Sequence, residues 1–156
     1  MAEFETNITL DIERFEAALT DWSKQTEIEN RLGAVEAANF IQDLVKTNLM
    51  KYPHPPGTPT EAPIMKGPVG FVTGHLRDSV RVTVKPIRGF AIVGVYAEYA
   101  RINEIGGWTG TDHMTYIPPR PYFRPMVMEV DTTGPEGVEH IFYKHWRDAM
   151  IRAVAY

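Results

Sequence analysis

Five histidines, two neighbouring glutamates and a set of tyrosines and arginines are the residues of this chain best equipped to do chemistry. His140 and His145 stand five apart in a segment of helical spacing, which does not stack them on one face. No third ligand falls at a matching interval, so no metal site is expected. His54, His75 and His113 each stand alone among turn formers. Ser79 lacks a histidine and a carboxylate in a hydrolytic pattern, and Thr73-Gly74-His75 is not a nucleophile elbow. Gly106-Gly107-Trp108-Thr109-Gly110 is glycine-rich but has no lysine and no strand–loop–helix setting for a phosphate. Glu98 and Glu104 could share acid–base work. Six apart on a short helix they point different ways, and salt-bridge roles suit them better. The absence of cysteine removes disulfides, thiolate metal sites and thiol nucleophiles together. Neither a catalytic constellation nor a cofactor motif emerges.

What remains is a spaced trio of motifs. The first is Thr73-Gly74-His75-Leu76-Arg77-Asp78-Ser79. The second runs from Tyr96 through Tyr99, Arg101 and Glu104 to Gly106-Gly107. The third is Ile117-Pro118-Pro119-Arg120-Pro121-Tyr122-Phe123-Arg124-Pro125. Each sets turn formers beside arginine, and the last two add large aromatics. That composition suits a rigid corner or a subunit interface. Tyr96, Tyr99, Tyr116, Tyr122 and Phe123 with Arg101, Arg120 and Arg124 could instead stack nucleic-acid bases. The net charge of −4 weighs against a broad nucleic-acid surface.

The elements that must position these motifs follow from periodicity. Length, 44% apolar and 23% charged residues predict one soluble domain over 1–156. No apolar run approaches a membrane span. Met1 to Thr6 is acidic and lacks a signal pattern, which points to a chain made and kept in a cytoplasm. Asn7 to Asp11 is β-prone and reads as an edge strand or lead-in. Ile12, Phe15, Leu19 and Trp22 predict a helix capped by Asp11. Thr26 and Glu29 form a capping-box pattern opening a second helix, to about Met50. Its stripe runs Ile28, Leu32, Val35, Ala38, Ile41, Val45 and Leu49, with Glu29, Glu36, Asp43 and Thr47 on a separate polar side and Gly33 as a weak point.

Six prolines and three glycines between Tyr52 and Val72 predict an extended loop, or an arm ordered by a neighbour. Thr73 is placed to cap one helical turn. Ser79–Lys85 and Phe90–Val95 read as a hairpin across a Pro86–Gly89 turn, with Val80, Val82 and Val84 on a buried face. Tyr96 to Ile105 has short-helix character, stopped by Gly106-Gly107. Trp108 to Thr115 reads as a polar loop. Met126 to Val130 fits strand or helix. A C-terminal helix begins near Pro135, with Val138, Phe142, His145, Ala149 and Arg152 on one side. The fold class expected is α+β: a small, mainly antiparallel sheet packed by a long helix from the N-terminal half and a C-terminal helix.

Taken in order, the three motifs resemble the neck or tail-completion proteins of long-tailed bacteriophages, the gene-product-ten-like head–tail connector family. They are similar also to Mu-type virion morphogenesis proteins. The matching residues are Thr73, Gly74, Leu76, Arg77, Ser79, Val93, Gly94, Tyr99, Ala100, Glu104, Gly106, Pro118, Arg120, Pro121 and Pro125, with Pro-Pro-Gly-Thr at 55–58 upstream. The likeness covers about Thr26 to Tyr156. Gly106-Gly107 departs from the Gly-Thr of many relatives, which leaves the subfamily open.

The resemblance implies a non-enzymatic virion protein without cofactor or metal. It would complete the tail and join it to the DNA-filled head, as part of a homo-oligomeric ring, such as a hexamer, around the DNA channel. Its partners would be head-closure, tail-terminator and tail-tube proteins, with DNA passing through the lumen without sequence-specific binding and no membrane contact. Its place would be the virion, after synthesis in the bacterial cytoplasm. Arg77, Glu104, Arg120 and Arg124 are expected to fix corners or pair at interfaces, and Tyr99, Tyr122 and Phe123 to serve as apolar anchors. Two alternatives stay open: a tail terminator capping the tube, and a small nucleic-acid-binding module.

Overall fold

The computed structural model describes residues 2–51, 73–85, 89–132 and 137–154. The chain opens with a single helix, α1, from Ala2 to Met50. At 1.5 Å per residue it is roughly 74 Å long. A one-turn helix α2 (His75–Asp78) leads into the antiparallel strands β1 (Val80–Lys85) and β2 (Phe90–Val95). Then come α3 (Ala100–Ile105), a second antiparallel pair β3 (Gly107–Thr109) and β4 (Thr115–Ile117), α4 (Arg124–Thr132) and α5 (Val138–Val154). This is the expected α+β mixture of long helix, small antiparallel sheets and C-terminal helix. The expected arm at 52–72, the Pro86–Arg88 turn and the Pro135 cap lie outside the described residues.

The two helices expected before Met50 are one. Asn7 to Asp11 is helical rather than a strand, and Asp11 is interior rather than a cap. The Thr26–Glu29 pair does not open a helix. Thr26 Oγ1 donates instead to the Trp22 carbonyl at 2.7 Å, and Thr20 Oγ1 to Glu16 at 2.9 Å. A threonine bonded back to its own preceding turn sits inside a helix without breaking it. No proline or glycine interrupts Ala2 to Leu32, so nothing forces a stop.

Among the described residues, it is the C-terminal half of α1 that seats the other elements. No described side chain from Ile12 to Ile28 is buried, and Glu29 is the first that is. From there α5 lies along α1, the β1–β2 hairpin runs beside it from Gln42 at Val80 to Arg31 at Gly89, and α2 packs at Met50. Val45, Leu49, Leu76, Val80, Ala97, Ala100, Tyr122 and Met126 form the buried cluster, with Ile41, Val93 and Phe123 packed around it. The stripe is therefore apolar and buried toward Met50, whereas Ile28 and Leu32 are half exposed.

The hairpin pairs Val80 with Val95, Val82 with Val93 and Val84 with Ala91. Burial grades along its inner face, from Val80 at 1% exposed to Val84 at 44%. The open end of the hairpin sits on α1, and Gln42 Nε2 donates to the Val80 carbonyl at 2.8 Å. The segment Trp108–Thr115 is not a plain loop. It is the tip of the β3–β4 hairpin, with Trp108 paired to Tyr116. Met126–Val130 resolves as helix, within α4. Among the described residues no helix is long and apolar enough to cross a membrane.

Gly33 is no weak point. A Cβ there would lie 3.1 Å from Phe142 Cδ1 and 3.2 Å from His145 Cδ2, so α5 approaches α1 where α1 has no side chain. Gly33→Val should destabilise the fold by about 1–3 kcal/mol through overpacking. Urea denaturation checks this, and a gain in stability would show that the two helices separate readily.

Candidate functional site: one corner from three motifs

The three motifs meet. His75 Nδ1 lies 2.9 Å from the Tyr99 hydroxyl, with ring centroids 5.8 Å apart. The Tyr96 amide donates to the Ser79 carbonyl at 3.1 Å, joining the first motif to the second. The Arg120 amide donates to the Asn103 carbonyl at 2.6 Å, joining the second to the third. Each motif also supplies core: Leu76 from the first, Ala97 and Ala100 from the second, Tyr122 from the third. His75 is thus paired across motifs, not alone in a loop.

Glu104 holds this corner together. Its Oε2 accepts the amides of Tyr122 and Phe123 at 2.8 and 3.0 Å, and its Oε1 accepts the Arg124 amide at 2.9 Å. These amides enter α4, so the carboxylate sits where the helix end is positive and its first N–H groups lack partners. This corrects the expected salt-bridge role: Glu104 is an intramolecular cap delivered from another helix. Tyr122, expected as an apolar anchor, is 2% exposed and anchors the core. Its hydroxyl donates to the Ala100 carbonyl at 3.3 Å, and Asn48 Nδ2 donates to its carbonyl at 3.1 Å. Burial, followed by the nearby charge of Glu104, pushes the Tyr122 phenol well above its ordinary range.

Gly106 lets the second and third motifs approach. Its φ is +72°, and a Cβ would lie 2.8 Å from Pro119 Cδ and 2.9 Å from Pro119 N. Both the turn and the contact exclude a side chain. Thr73, the expected cap of α2, accepts the His75 amide at 3.4 Å, while the N-cap position itself is Gly74 at φ 78°.

Of the predicted arginines, Arg77 bonds Asp78 at 2.7 Å and reaches Met50 Sδ at 3.7 Å, bracing α2 against the end of α1. Arg124 is exposed. Arg120 is half buried, and its Nε is buried with no partner among the described residues. Tyr99 is 41% exposed and Phe123 half buried. The corner therefore has an inner side, made of Tyr122 and the Glu104 carboxylate, and an outer side carrying Tyr96, Tyr99 and Arg124.

A second polar assembly was invisible to motif reasoning. On α5, His145 Nδ1 lies 2.6 Å from Glu29 Oε2 and its Nε2 2.9 Å from Glu36 Oε2. Arg152 also bonds Glu29, Lys144 lies 3.6 Å from Glu36, and Trp146 Nε1 donates to Asn30 Oδ1 at 2.6 Å. Glu29 is 2% exposed and His145 9%. Glu29 and Glu36, expected on a separate polar side of α1, face α5. Two carboxylates on the two ring nitrogens fit a doubly protonated imidazolium, since both nitrogens then donate. Burial works against that charge, but the bonds to Glu29 and Glu36 outweigh it, and the His145 pKa lies above its ordinary 6.5. The bond from His145 holds Glu36 below its ordinary 4.5 against a smaller opposing effect of desolvation. Glu29 and Glu36 stand seven apart, the spacing of one helix face, but nothing in the sequence singled out His145 as their partner.

Among the described residues no group of three histidine, cysteine, aspartate or glutamate side chains is arranged to hold a metal ion. No family model, curated protein or solved structure matches this chain.

Glu104→Ala should cost about 2–3 kcal/mol, because partly buried amides lose their acceptor. Glu104→Gln, which keeps one carbonyl oxygen, should fall between, and urea unfolding of the three proteins gives the order. The His145 clasp predicts a pH profile. A raised histidine pKa contributes stability fully present below pH 6.5 and lost as pH rises through the folded value. The lowered Glu36 contributes above pH 4.5 and is lost as pH falls through its folded value. The urea midpoint should therefore be highest between these limits, and His145→Gln should remove the decline on the alkaline side.

Proposed function

We propose that this chain is a non-enzymatic structural protein of the phage neck. It completes the tail and joins it to the DNA-filled head, within a homo-oligomeric ring around the DNA channel. The observation that carries the reading is the convergence of the three resembling motifs on one corner. There the second motif's Glu104 binds the third motif's backbone, and the first motif's His75 meets the second motif's Tyr99. Motifs that share a fold corner depend on one another, which supports reading the three as one unit.

Arg120 adds a specific support. A buried donor such as Arg120 Nε, with no partner among the described residues, is uncommon in native structures. A carboxylate or carbonyl from a neighbouring subunit would satisfy it, and Pro119 and Pro121 hold the residue with little entropy left to lose. The exposed Tyr96, Tyr99, Trp108 and Tyr116 around the same region are residue types enriched at interfaces.

The test is genetic and visual. Electron microscopy of particles made without this protein should show separate heads and tails. Fully joined, normal particles would remove the reading, and tails of abnormal length would move the protein to the terminator role. Arg120→Ala should leave the isolated subunit within about 1 kcal/mol of wild type, a shift of a few degrees in melting temperature, while lowering assembly sharply. A large drop in subunit stability with assembly intact would make Arg120 a brace of the fold instead.

A further inference from the structure

His145 is bonded to α1 through both ring nitrogens, and the two bonds are not alike. Glu29, Gly33 and Glu36 follow one another at steps of four and three, so they share one face of α1. Gly33 leaves a notch in that face. The His145 ring fills it, with Cδ2 only 3.2 Å from where a Cβ at Gly33 would stand. From this notch Nδ1 lies 2.6 Å from Glu29 Oε2 and Nε2 lies 2.9 Å from Glu36 Oε2.

The two carboxylates differ in what they can do without the histidine. The Glu29 side chain is 2% exposed, and its other oxygen is held by Arg152. The Glu36 side chain is 46% exposed, and its Oε1 lies 3.6 Å from Lys144. A released Glu36 can rotate into water and be hydrated. A released Glu29 oxygen has no solvent to turn to, and it bears the full desolvation penalty of an unpaired buried charge. Among the described residues, Glu29 and Glu36 from α1 and Lys144 and Arg152 from α5 are the charged side chains bonded into this cluster. The Trp146–Asn30 bond beside them is neutral.

The imidazolium carries a proton on each nitrogen, so both bonds stand together. The neutral ring has one proton, and its other nitrogen turns a lone pair toward whatever it faces. A lone pair and a carboxylate oxygen less than about 3 Å apart repel each other, so one of the two contacts must then break. Which proton departs is decided by which carboxylate can leave.

We propose that His145 is a proton-operated latch. When the ring becomes neutral it gives its Nε2 proton to bulk water, keeps Nδ1–H on Glu29, and releases Glu36 with Lys144 to solvent. Two polar crosslinks between ring and α1 become one. The buried Ile141, Ala149 and Ala153 carry no charge, so the apolar seat of α5 is unaffected. The bonds to Glu29 and Glu36 raise the His145 pKa above 6.5, so the latch is closed at pH 6.5 and opens on the alkaline side. Opening is therefore local to the Glu36 side, with Glu29 and Arg152 left as the pivot.

The experiment follows the ring nitrogens of the full chain, labelled with ¹⁵N at histidine, by NMR from about pH 5 to about pH 10. Loss of signals in His145→Gln assigns them. The nitrogen shifts separate imidazolium, the Nδ1–H form and the Nε2–H form. The wild type should pass from imidazolium to Nδ1–H with a midpoint above 6.5, while the far-ultraviolet circular dichroism stays constant. Glu36→Gln should shift the midpoint downward and keep the Nδ1–H form. Glu29→Gln should reverse the tautomer to Nε2–H, because the remaining carboxylate then lies at Glu36. A neutral Nε2–H ring in the wild type, an averaged mixture of both forms, an imidazolium that persists to the top of the range, or unfolding coincident with the titration would each overturn the latch. Should Glu29→Gln fail to fold, the other two titrations decide: an unchanged midpoint in Glu36→Gln shows that the ring does not hold Glu36.

Discussion

Between Glu29 and Met50 one helix must accept four neighbours at once, and the remainder of the structure depends on how it does so. Gly33, Ala34, Ala37 and Ala38 give α1 a low profile, so that α5 can approach on one flank and β2 on another. Beyond them Val45 and Leu49 fill the space under α2, β1 and Tyr122. Small residues govern approach and larger ones fill the core, in that order along the helix. The three-motif corner therefore has a fixed floor before any of its own hydrogen bonds form.

The clasp on α5 does different work from this apolar packing. Charges buried together recover their lost hydration only when geometry is good, and such groups are often no more stabilising than apolar residues of similar size. Their value lies in intolerance of error. Sliding α5 by one turn would leave Glu29 without His145 and Arg152, an uncompensated buried carboxylate costing about 3–5 kcal/mol. We therefore regard Glu29 and His145 as setting the register of α5 against α1. Glu104 plays the same part at the corner, where one carboxylate orders three consecutive amides.

Legibility from sequence tracked how local the signal was. Val80 to Val95 is readable because alternation and a turn suffice to define a hairpin, whose pairing runs from Val80 with Val95 to Lys85 with Phe90. The Gly106 stop was readable for a similar reason. The break expected near Thr26 was not there, since a threonine followed three residues later by glutamate looks the same whether it caps a helix or bonds back within one. The β3–β4 pair leaves no signal in the sequence because three-residue strands are too short to show a period. Glu104 stands out in the sequence but its role does not, because its partners are backbone amides, which leave no trace in side-chain chemistry. The Glu29–His145 contact spans more than a hundred residues, and each partner alone resembles an ordinary solvated group.

The projection of α1 has a mechanical consequence. A rod held at one end turns small rotations of its seat into large displacements of its tip. With about 40 Å outside the seat, a tilt of only 5° moves the far end by about 3.5 Å, more than a hydrogen bond's length. Positional accuracy at the tip is thus set by angular stiffness at the base. The first buried side chain described along α1 is Glu29, gripped from α5 by His145 and Arg152. An apolar contact there could roll at little cost, whereas directional bonds from two sides resist rotation. Placing the clasp at the mouth of the seat makes α1 a cantilever rather than a hinge.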